Sequence, residues 1–398
     1  MSATTAAIVG TGFIAPVHVE TLRRLGIPVT GILGRDAIKS ENARAAMGLL
    51  RAYRTYDELL ADKLVSVIHL AVPNVLHYEF ACRALNAGKH VLCEKPLAMD
   101  SKQSADLVAR AAACGLQAGV CYNVRYYPLN LHARHMLRSG ELGRILSIHG
   151  SYTQDWLLKS TDYNWRVLSE HGGELRAVAD IGTHWLDLIR AITGTEVERV
   201  FADLCTVHPQ RTRSRGETAT FSNDMAKTTS EVESIPITTD DCGNVLLRLT
   251  GNIPASLFVS QVSAGRKNSI RYEIAAELGN LVWDSESPES LWIGRRDGPS
   301  QQLIRDPGQM ASLATPFANY PAGHVEGFPD TFKQCFRAFY DAVNHRVTNH
   351  SPGYPTFADG HSEIALCEAI LASHRQQCWT TVADNKIHLT TRQEKSAK

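Results

Sequence analysis

Between the short apolar run Ala6-Ala7-Ile8-Val9 and a helix-spaced segment lies Gly10-Thr11-Gly12-Phe13-Ile14-Ala15, a G-x-G-x-x-A pattern. Its chemistry is anion binding by the backbone. Gly10 permits a tight turn, Gly12 lets the main chain approach a pyrophosphate, and Ala15 lets helix and strand close on each other. A helix beginning at Phe13-Ile14 then turns unpaired N–H groups towards the phosphates. In a strand–turn–helix setting this points to a dinucleotide, NAD or NADP, held by Gly10, Gly12, Phe13 and Ile14. The second strand ends at Leu33-Gly34-Arg35-Asp36, where such folds read the adenosine ribose. Arg35 without an acid at the strand end leans the choice towards the 2′-phosphate of NADP, while Asp36 keeps NAD open.

Two further groups carry side chains suited to proton chemistry. Glu94-Lys95-Pro96 follows the strand-like His90-Val91-Leu92-Cys93. Open α/β sheets bind ligands beyond the carboxyl ends of their strands, so Lys95 stands where it can reach a substrate beside the cofactor. Asp180-Ile181-Gly182-Thr183-His184 sets an acid and a histidine four residues apart, on one face of a helix. A histidine titrating near neutrality suits the removal of an alcohol proton, and a nearby carboxylate can orient the substrate or the ring. Trp165-Arg166 and Gly172-Gly173, just upstream, indicate a close-fitting loop. Each feature also has an ordinary structural explanation: a loop salt bridge, a helix cap, a packed imidazole.

The elements that must position these residues follow from the apolar periodicity. Over 1–123, strand-like runs (6–9, 27–33, 64–72, 90–93, 117–120) alternate with helix-like ones (14–25, 39–50, 75–87, 101–113). That alternation predicts a doubly wound parallel sheet. Beyond 123 the rhythm changes. A helix over 130–139 leads into a strand over 145–152, and a helix over 180–193 precedes strands at 197–207, 243–249, 255–262, 269–276 and 281–283. Gly-containing turns between them predict a mostly antiparallel sheet, and helices over 331–343 and 359–373 follow. The segment 206–234, rich in Ser, Thr and Arg, reads as an exposed insertion.

Composition narrows the function classes. With 41 basic and 41 acidic residues in 398 the formal charge is zero, against the basic excess of nucleic-acid or membrane-surface binders. No run of 18 apolar residues or signal-peptide pattern occurs. The nine cysteines show no Cys-x-x-Cys spacing, which suits free thiols in a reducing cytoplasm better than a disulfide framework. A zinc site built on His132, His135 and His184 would lack any His-Glu-x-x-His, so no metal is expected.

Gly10-Thr11-Gly12, Glu94-Lys95-Pro96 and Asp180-Ile181-Gly182-Thr183-His184, in that order, resemble the Gfo/Idh/MocA oxidoreductases. Ala71-Val72-Pro73-Asn74-Val75-Leu76-His77, Asn86-Ala87-Gly88-Lys89-His90-Val91 and Gly140-Glu141-Leu142-Gly143-Arg144-Ile145 add to the likeness, which covers nearly the whole chain outside 206–234. Within the family, Gly150-Ser151-Tyr152-Thr153-Gln154-Asp155-Trp156 and Phe357-Ala358-Asp359-Gly360 look most like the levoglucosan dehydrogenases and neighbouring sugar and inositol dehydrogenases. The resemblance implies an NAD(P)-binding Rossmann domain over 1–123. Over 124–398 it implies an α/β domain that binds substrate, whose large open sheet builds a homodimer or homotetramer. By the same resemblance Lys95 is the catalytic lysine, Asp180 orients the substrate and His184 is the acid/base. Pro73, Asn74, His77 and Glu94 fall on the nicotinamide side, with Asn123, Trp165 and Arg166 more loosely there. One departure is Tyr122-Asn123-Val124-Arg125-Tyr126-Tyr127-Pro128, where many members carry Asn-x-Arg-Phe.

The expected substrate is a neutral polyhydroxylated ring: a pyranose, an anhydrosugar or a cyclitol. Gln154, Asp155, Trp156, Asn164, Trp165 and Arg166, with Asp180 and His184, mix hydrogen-bonding groups for hydroxyl edges with aromatic faces for C–H-rich ones. Two other classes share the fold: a catalytically idle NAD(P)-sensing regulator and an NAD-dependent glycosidase. The intact Lys95, Asp180 and His184 argue against the regulator, and net turnover of free cofactor separates a dehydrogenase from the glycosidase.

Overall fold

The structure, a computed structural model, describes residues 4–214, 232–345 and 353–383. Six strands near the N-terminus, β1 (Ala6–Val9), β2 (Val29–Leu33), β3 (Arg51–Ala52), β4 (Val67–Leu70), β5 (His90–Cys93) and β6 (Ala118–Val120), form one sheet in the order β3-β2-β1-β4-β5-β6. Every recorded pairing in it is parallel. Helices α1 (Ile14–Arg24), α2 (Ala37–Met47), α3 (Tyr56–Ala61), α4 (His77–Asn86) and α5 (Ser101–Cys114) connect them. β1 and β4 are buried along their whole length, which is why they read as unbroken apolar runs. The strand order reverses between β1 and β4, the point beyond whose carboxyl strand ends open α/β sheets bind their ligands. β3 and α3 were not visible as elements in the sequence, because two residues of strand carry no periodicity.

The second sheet has nine strands. Helix α6 (Pro128–Arg138) leads into β7 (Ile145–Thr153), and α7 (Thr183–Thr193) precedes β8 (Val197–Cys205). A hairpin of β9 (Gln210–Ser214) and β10 (Val232–Pro236) comes next. β11 (Cys242–Leu249), β12 (Ile253–Ser260), β13 (Ser269–Ala276), β14 (Gly279–Asp284), β15 (Ser290–Gly294) and β16 (Gln301–Ile304) complete the run, with β17 (Thr380–Thr381) at one edge. The order is β16-β15-β14-β13-β7-β12-β11-β8-β17, antiparallel except between β7 and β12. Burial alternates along β11, where Val245, Leu247 and Leu249 face the core. Trp185 of α7 lies so close to β7 that a Cβ on Gly150 would fall 2.4 Å from its Nε1 and 2.2 Å from the Arg271 carbonyl. Only glycine fits there, and the close approach seats α7 on the sheet.

Two late helices, α8 (Phe328–Val343) and α9 (Phe357–Gln376), return to the parallel sheet. Asp330 at the start of α8 pairs with Arg24 of α1, and Thr356, which caps α9, bridges to Gly119 of β6. The expectation of a wholly exposed insertion over 206–234 needs correcting at its described ends. β9 and β10 pair there, and Arg211 is fully buried, its guanidinium donating to the Leu157, Lys159 and Asp162 carbonyls and to Asp241. Residues 215–231 of that segment lie outside the described residues. No helix among the described residues is long and apolar enough to cross a membrane.

Candidate active site

The glycine loop has the geometry its sequence demands. Gly10 has φ +113°, and a Cβ there would fall 2.1 Å from the Ala71 carbonyl oxygen, so the loop lies flat against the end of β4. A Cβ on Gly12, by contrast, would meet nothing within 4 Å. α1 begins without a side-chain cap and without an acid in its first turn; the Ala15 N–H bonds the Gly12 carbonyl, and the positive end of the helix is left uncapped by any side chain towards an anion. An open glycine facing an uncapped helix start fits a dinucleotide pyrophosphate. Phe13 stands exposed at that start and Ile14 is half-buried. At the end of β2, Asp36 accepts the Lys39 N–H (2.7 Å) as the cap of α2, and Arg35 lies beside it, Nε to carboxylate 3.3 Å.

Lys95 crosses from the end of β5 to the turn that precedes α7. Its Nζ donates to Asp180 twice, to Oδ1 at 2.8 Å and to the main-chain carbonyl at 2.6 Å. Asp180 also accepts the Gln261 amide at Oδ2 (2.8 Å), and the Arg166 Nε stands 3.5 Å from Oδ1. The expected simple helix over 180–193 is here two pieces, a π-helical turn (Val178–Gly182) that runs into α7. The wider turn carries Asp180 and hands over to His184 in the first turn of α7. Such π-turns recur at functional sites because they displace one side chain from the regular face. The Asp240 carboxylate holds the turn's start, accepting the Arg176 and Val178 N–H groups.

Charges at this centre are set by burial and by one another. Burial alone would raise Asp180, but Lys95 and then Arg166 hold its carboxyl well below the usual range. Burial first, and then the Lys95 charge, push His184 down to about 3, which favours its neutral imidazole. The His184 Nδ1 is buried without a partner among the described residues, and Tyr122 stands edge-on to the ring at 5.6 Å. Burial opposes the charge of Glu94 too, yet the His18 imidazole 3.0 Å away and Lys95 keep it below the usual carboxylate range.

The surrounding candidates divide into those at the centre and those that brace it. Arg166 reaches Asp180, stacks over the Trp165 ring at 4.5 Å and contacts Asn164 Oδ1 at 3.3 Å. Gln154, at the end of β7, accepts the Trp156 indole N–H (2.9 Å) and donates to Asn268 (2.8 Å). Asp155 turns to Lys267 (2.7 Å) and the Gly265 N–H, so its carboxylate braces a neighbouring loop. Pro73 starts a short turn in which the Asn74 amide donates to the Gly172 carbonyl (3.1 Å), joining the parallel-sheet side to the loop after Arg166. His77 is fully buried between the Pro96 (2.7 Å) and Val72 (2.9 Å) carbonyls and fixes the Lys95-Pro96 loop. Asn123 is buried and donates to Thr331 of α8 (2.7 Å). Gln261, Asp240 and Arg211 were missed by the sequence reading. The only signal was their place at strand ends, which singles out no role.

Among the described residues, His18, Glu94 and Cys121 are the group whose donor atoms lie within 4.8 Å of one another. His18 and Glu94 turn those atoms to each other, Nε2 to Oε1 at 3.0 Å. His132 does not join His184, since its Nδ1 accepts the Ala311 N–H.

Comparison with known proteins identifies the family and the fold. Residues 4–122 match the oxidoreductase family NAD-binding Rossmann fold, and residues 130–282 match the GFO/IDH/MocA C-terminal domain. The levoglucosan dehydrogenase of Pseudarthrobacter phenanthrenivorans is 26% identical over 390 residues, spanning 94% of this chain and 97% of its own. An inositol 2-dehydrogenase/D-chiro-inositol 3-dehydrogenase of Lactiplantibacillus plantarum is 28% identical over 218 residues, 53% of this chain and 59% of its own. The structure of a levoglucosan dehydrogenase in complex with NADH and levoglucosan superimposes with a TM-score of 0.84 at 24% identity, covering 96% of this chain and 99% of that one. At that identity the superposition speaks for the fold.

Proposed function

Because the chain belongs to the GFO/IDH/MocA oxidoreductase family, we propose that it is an NAD(P)-dependent dehydrogenase acting on a ring hydroxyl of a neutral sugar, anhydrosugar or cyclitol. The observation that carries this reading is the convergence on Asp180 of Lys95, Gln261 and Arg166, with His184 one turn on, at the carboxyl end of β5. The nicotinamide supplies the hydride chemistry when bound. An ammonium has three protons, and Lys95 spends two on Asp180. The third is available to the substrate oxygen, where it stabilises alkoxide character as the C–H bond weakens. His184, held in its neutral form by burial and by the Lys95 charge, has the free ring nitrogen that takes the hydroxyl proton as the carbon gives up its hydride. Asp180 fixes the Lys95 head, and Gln154, Trp156 and Trp165 shape the pocket.

A neutral substrate is favoured because Arg166 is already matched by Asp180 and stacked on Trp165. At the adenosine end NADP is favoured over NAD, since Asp36 is committed to capping α2 with Arg35 beside it. The protein works as a cytoplasmic homo-oligomer. Its nine cysteines are free thiols, and Leu246, Phe258 and Trp292 are exposed on the outer face of the second sheet. Absorbance at the nicotinamide band, followed over a panel of sugars with both cofactors, tests the reading. Reduction of NADP by a neutral ring sugar is expected, and oxidation of none would leave the idle regulator in its place.

A further inference from the structure

Behind Lys95 a line of buried polar groups runs away from the active centre. The His18 Nε2 lies 3.0 Å from Glu94 Oε1, His18 Nδ1 is 3.0 Å from His69 Nδ1, and His69 Nε2 is 2.8 Å from the Tyr340 hydroxyl. His18 and His69 have no exposed surface. Phe336 covers both rings edge-on at 4.9 Å, and Phe332 flanks His18. Four residues from α1, β4, the end of β5 and α8 thus meet in an apolar sheath, although their sequence neighbourhoods have nothing in common.

We propose that Tyr340, His69 and His18 form a one-way hydrogen-bond chain that holds Glu94 as an oriented carboxylate next to Lys95, which makes His18 a positioning residue. The idea rests on the dehydrogenase reading only for what Lys95 then does.

The direction follows from counting protons. If Tyr340 donates to His69 Nε2, then His69 carries its proton on Nδ1 and donates to His18 Nδ1. His18 must then carry its proton on Nε2 and donate it to Glu94. Every donor has an acceptor, both imidazoles are neutral, and the sole charge is the carboxylate. The reverse arrangement puts the His69 proton on Nε2, aimed at the Tyr340 oxygen. The tyrosine proton then has no acceptor among the described residues, and His18 must be doubly protonated or Glu94 neutral. Burying an unmatched hydroxyl is costly, so the forward chain wins.

The groups facing Glu94 suit a fixed anion. They are His18 on α1, His77 on α4, Cys93 and Lys95 on its own strand end, Cys121 after β6, His184 on α7 and Cys335 on α8. Burial pushes the three thiols well above their ordinary range, so they remain uncharged. Burial lowers His184, which favours its neutral form, and lowers His77 against the pull of the two carbonyls its ring nitrogens face. Lys95 is then the cation that Glu94 balances. One Glu94 oxygen takes the His18 N–H, and the other accepts the Lys95 main-chain N–H at 3.3 Å. The chain therefore fixes the backbone from which Lys95 extends to Asp180.

Two measurements test this. In wild-type protein labelled with 15N-histidine, NMR at the pH of the activity assay is expected to find His18 protonated on Nε2 alone and His69 on Nδ1 alone. A doubly protonated His18, or the opposite tautomer of either ring, overturns the proposal. In His18→Leu the Glu94 carboxylate loses its donor and protonates more readily. The acid limb of kcat is expected to move up by about one pH unit or more, and His18→Gln, which restores an N–H, brings it back. An unmoved acid limb in a folded His18→Leu also overturns it. If wild-type protein oxidises no sugar, the dehydrogenase reading fails, and the NMR result still decides the chain by itself.

Discussion

Lys95 and Asp180 are joined at two points, the lysine Nζ donating to both the side-chain Oδ1 (2.8 Å) and the main-chain oxygen (2.6 Å) of the same residue. A side-chain pair alone would leave the π-turn free to shift. The second bond locks the turn's backbone to the strand end on the parallel sheet, so the two sheets present their reactive groups in one fixed frame.

Lys95→Ala and His184→Ala are expected to fold and to lose turnover by about 10²- to 10⁴-fold each. Because the two act on one hydroxyl, the double variant is expected to lose less than the product of the single losses. Steady-state kcat with circular dichroism as the folding control checks this. Near-native kcat in either single variant would assign that residue to packing.

His184 also leaves a signature in stability. Its folded value of about 3 lies below the ordinary 6.5, so the unfolded chain takes up the proton first as pH falls. Its contribution is therefore lost from about pH 6.5 down to about 3, at up to about 1.4 kcal/mol per pH unit. Burial pushes His69 the same way. The reading is therefore the difference between wild type and His184→Gln in urea melts across that window, and the variant is expected to show the shallower slope. Equal slopes would mean the imidazole is not buried as described.

Gly12→Val is expected to abolish dinucleotide binding while the melting temperature holds, because the protein offers no atom within 4 Å of the new Cβ and only a ligand contests the space. Calorimetric titration with NAD and NADP measures it. Binding at wild-type affinity would move the pyrophosphate elsewhere.

Arg35→Ala is expected to weaken NADP by about tenfold or more with little change for NAD, the pattern of a lost charge-assisted phosphate contact. Equal losses for the two cofactors would remove the preference for NADP.

The parallel sheet was legible because its central strands are buried on both faces and two of its helices carry their own caps, Asp36 and Gly48 for α2, Asp100 and Gly115 for α5. Lys95, Asp180 and His184 were legible as residue types at telling positions. How they connect was not. The π-turn under Asp180 depends on Asp240, more than fifty residues on, accepting the Arg176 and Val178 N–H groups. Arg211 looked like part of a polar insertion, yet its guanidinium is buried against three carbonyls of the loop that carries Trp156 and Tyr163. Strands β15 and β16 escaped notice because they are short, and β16, at the edge of the sheet, is largely exposed and carries no apolar alternation. Pairings across such distances leave no local periodicity to read.

The most direct test is the appearance of reduced cofactor when levoglucosan, glucose or an inositol is added to protein and free NAD(P), with uronic acids and sugar phosphates run beside them. The expected result is stoichiometric reduction with a neutral ring sugar, at a kcat/KM at least equal to that of its acidic counterpart and about a hundredfold or more slower in Lys95→Ala. A preference of more than about tenfold for the acids, near 1.4 kcal/mol in transition-state binding, would contradict the neutral-sugar claim. So would cleavage of a glycoside without net reduction of the cofactor.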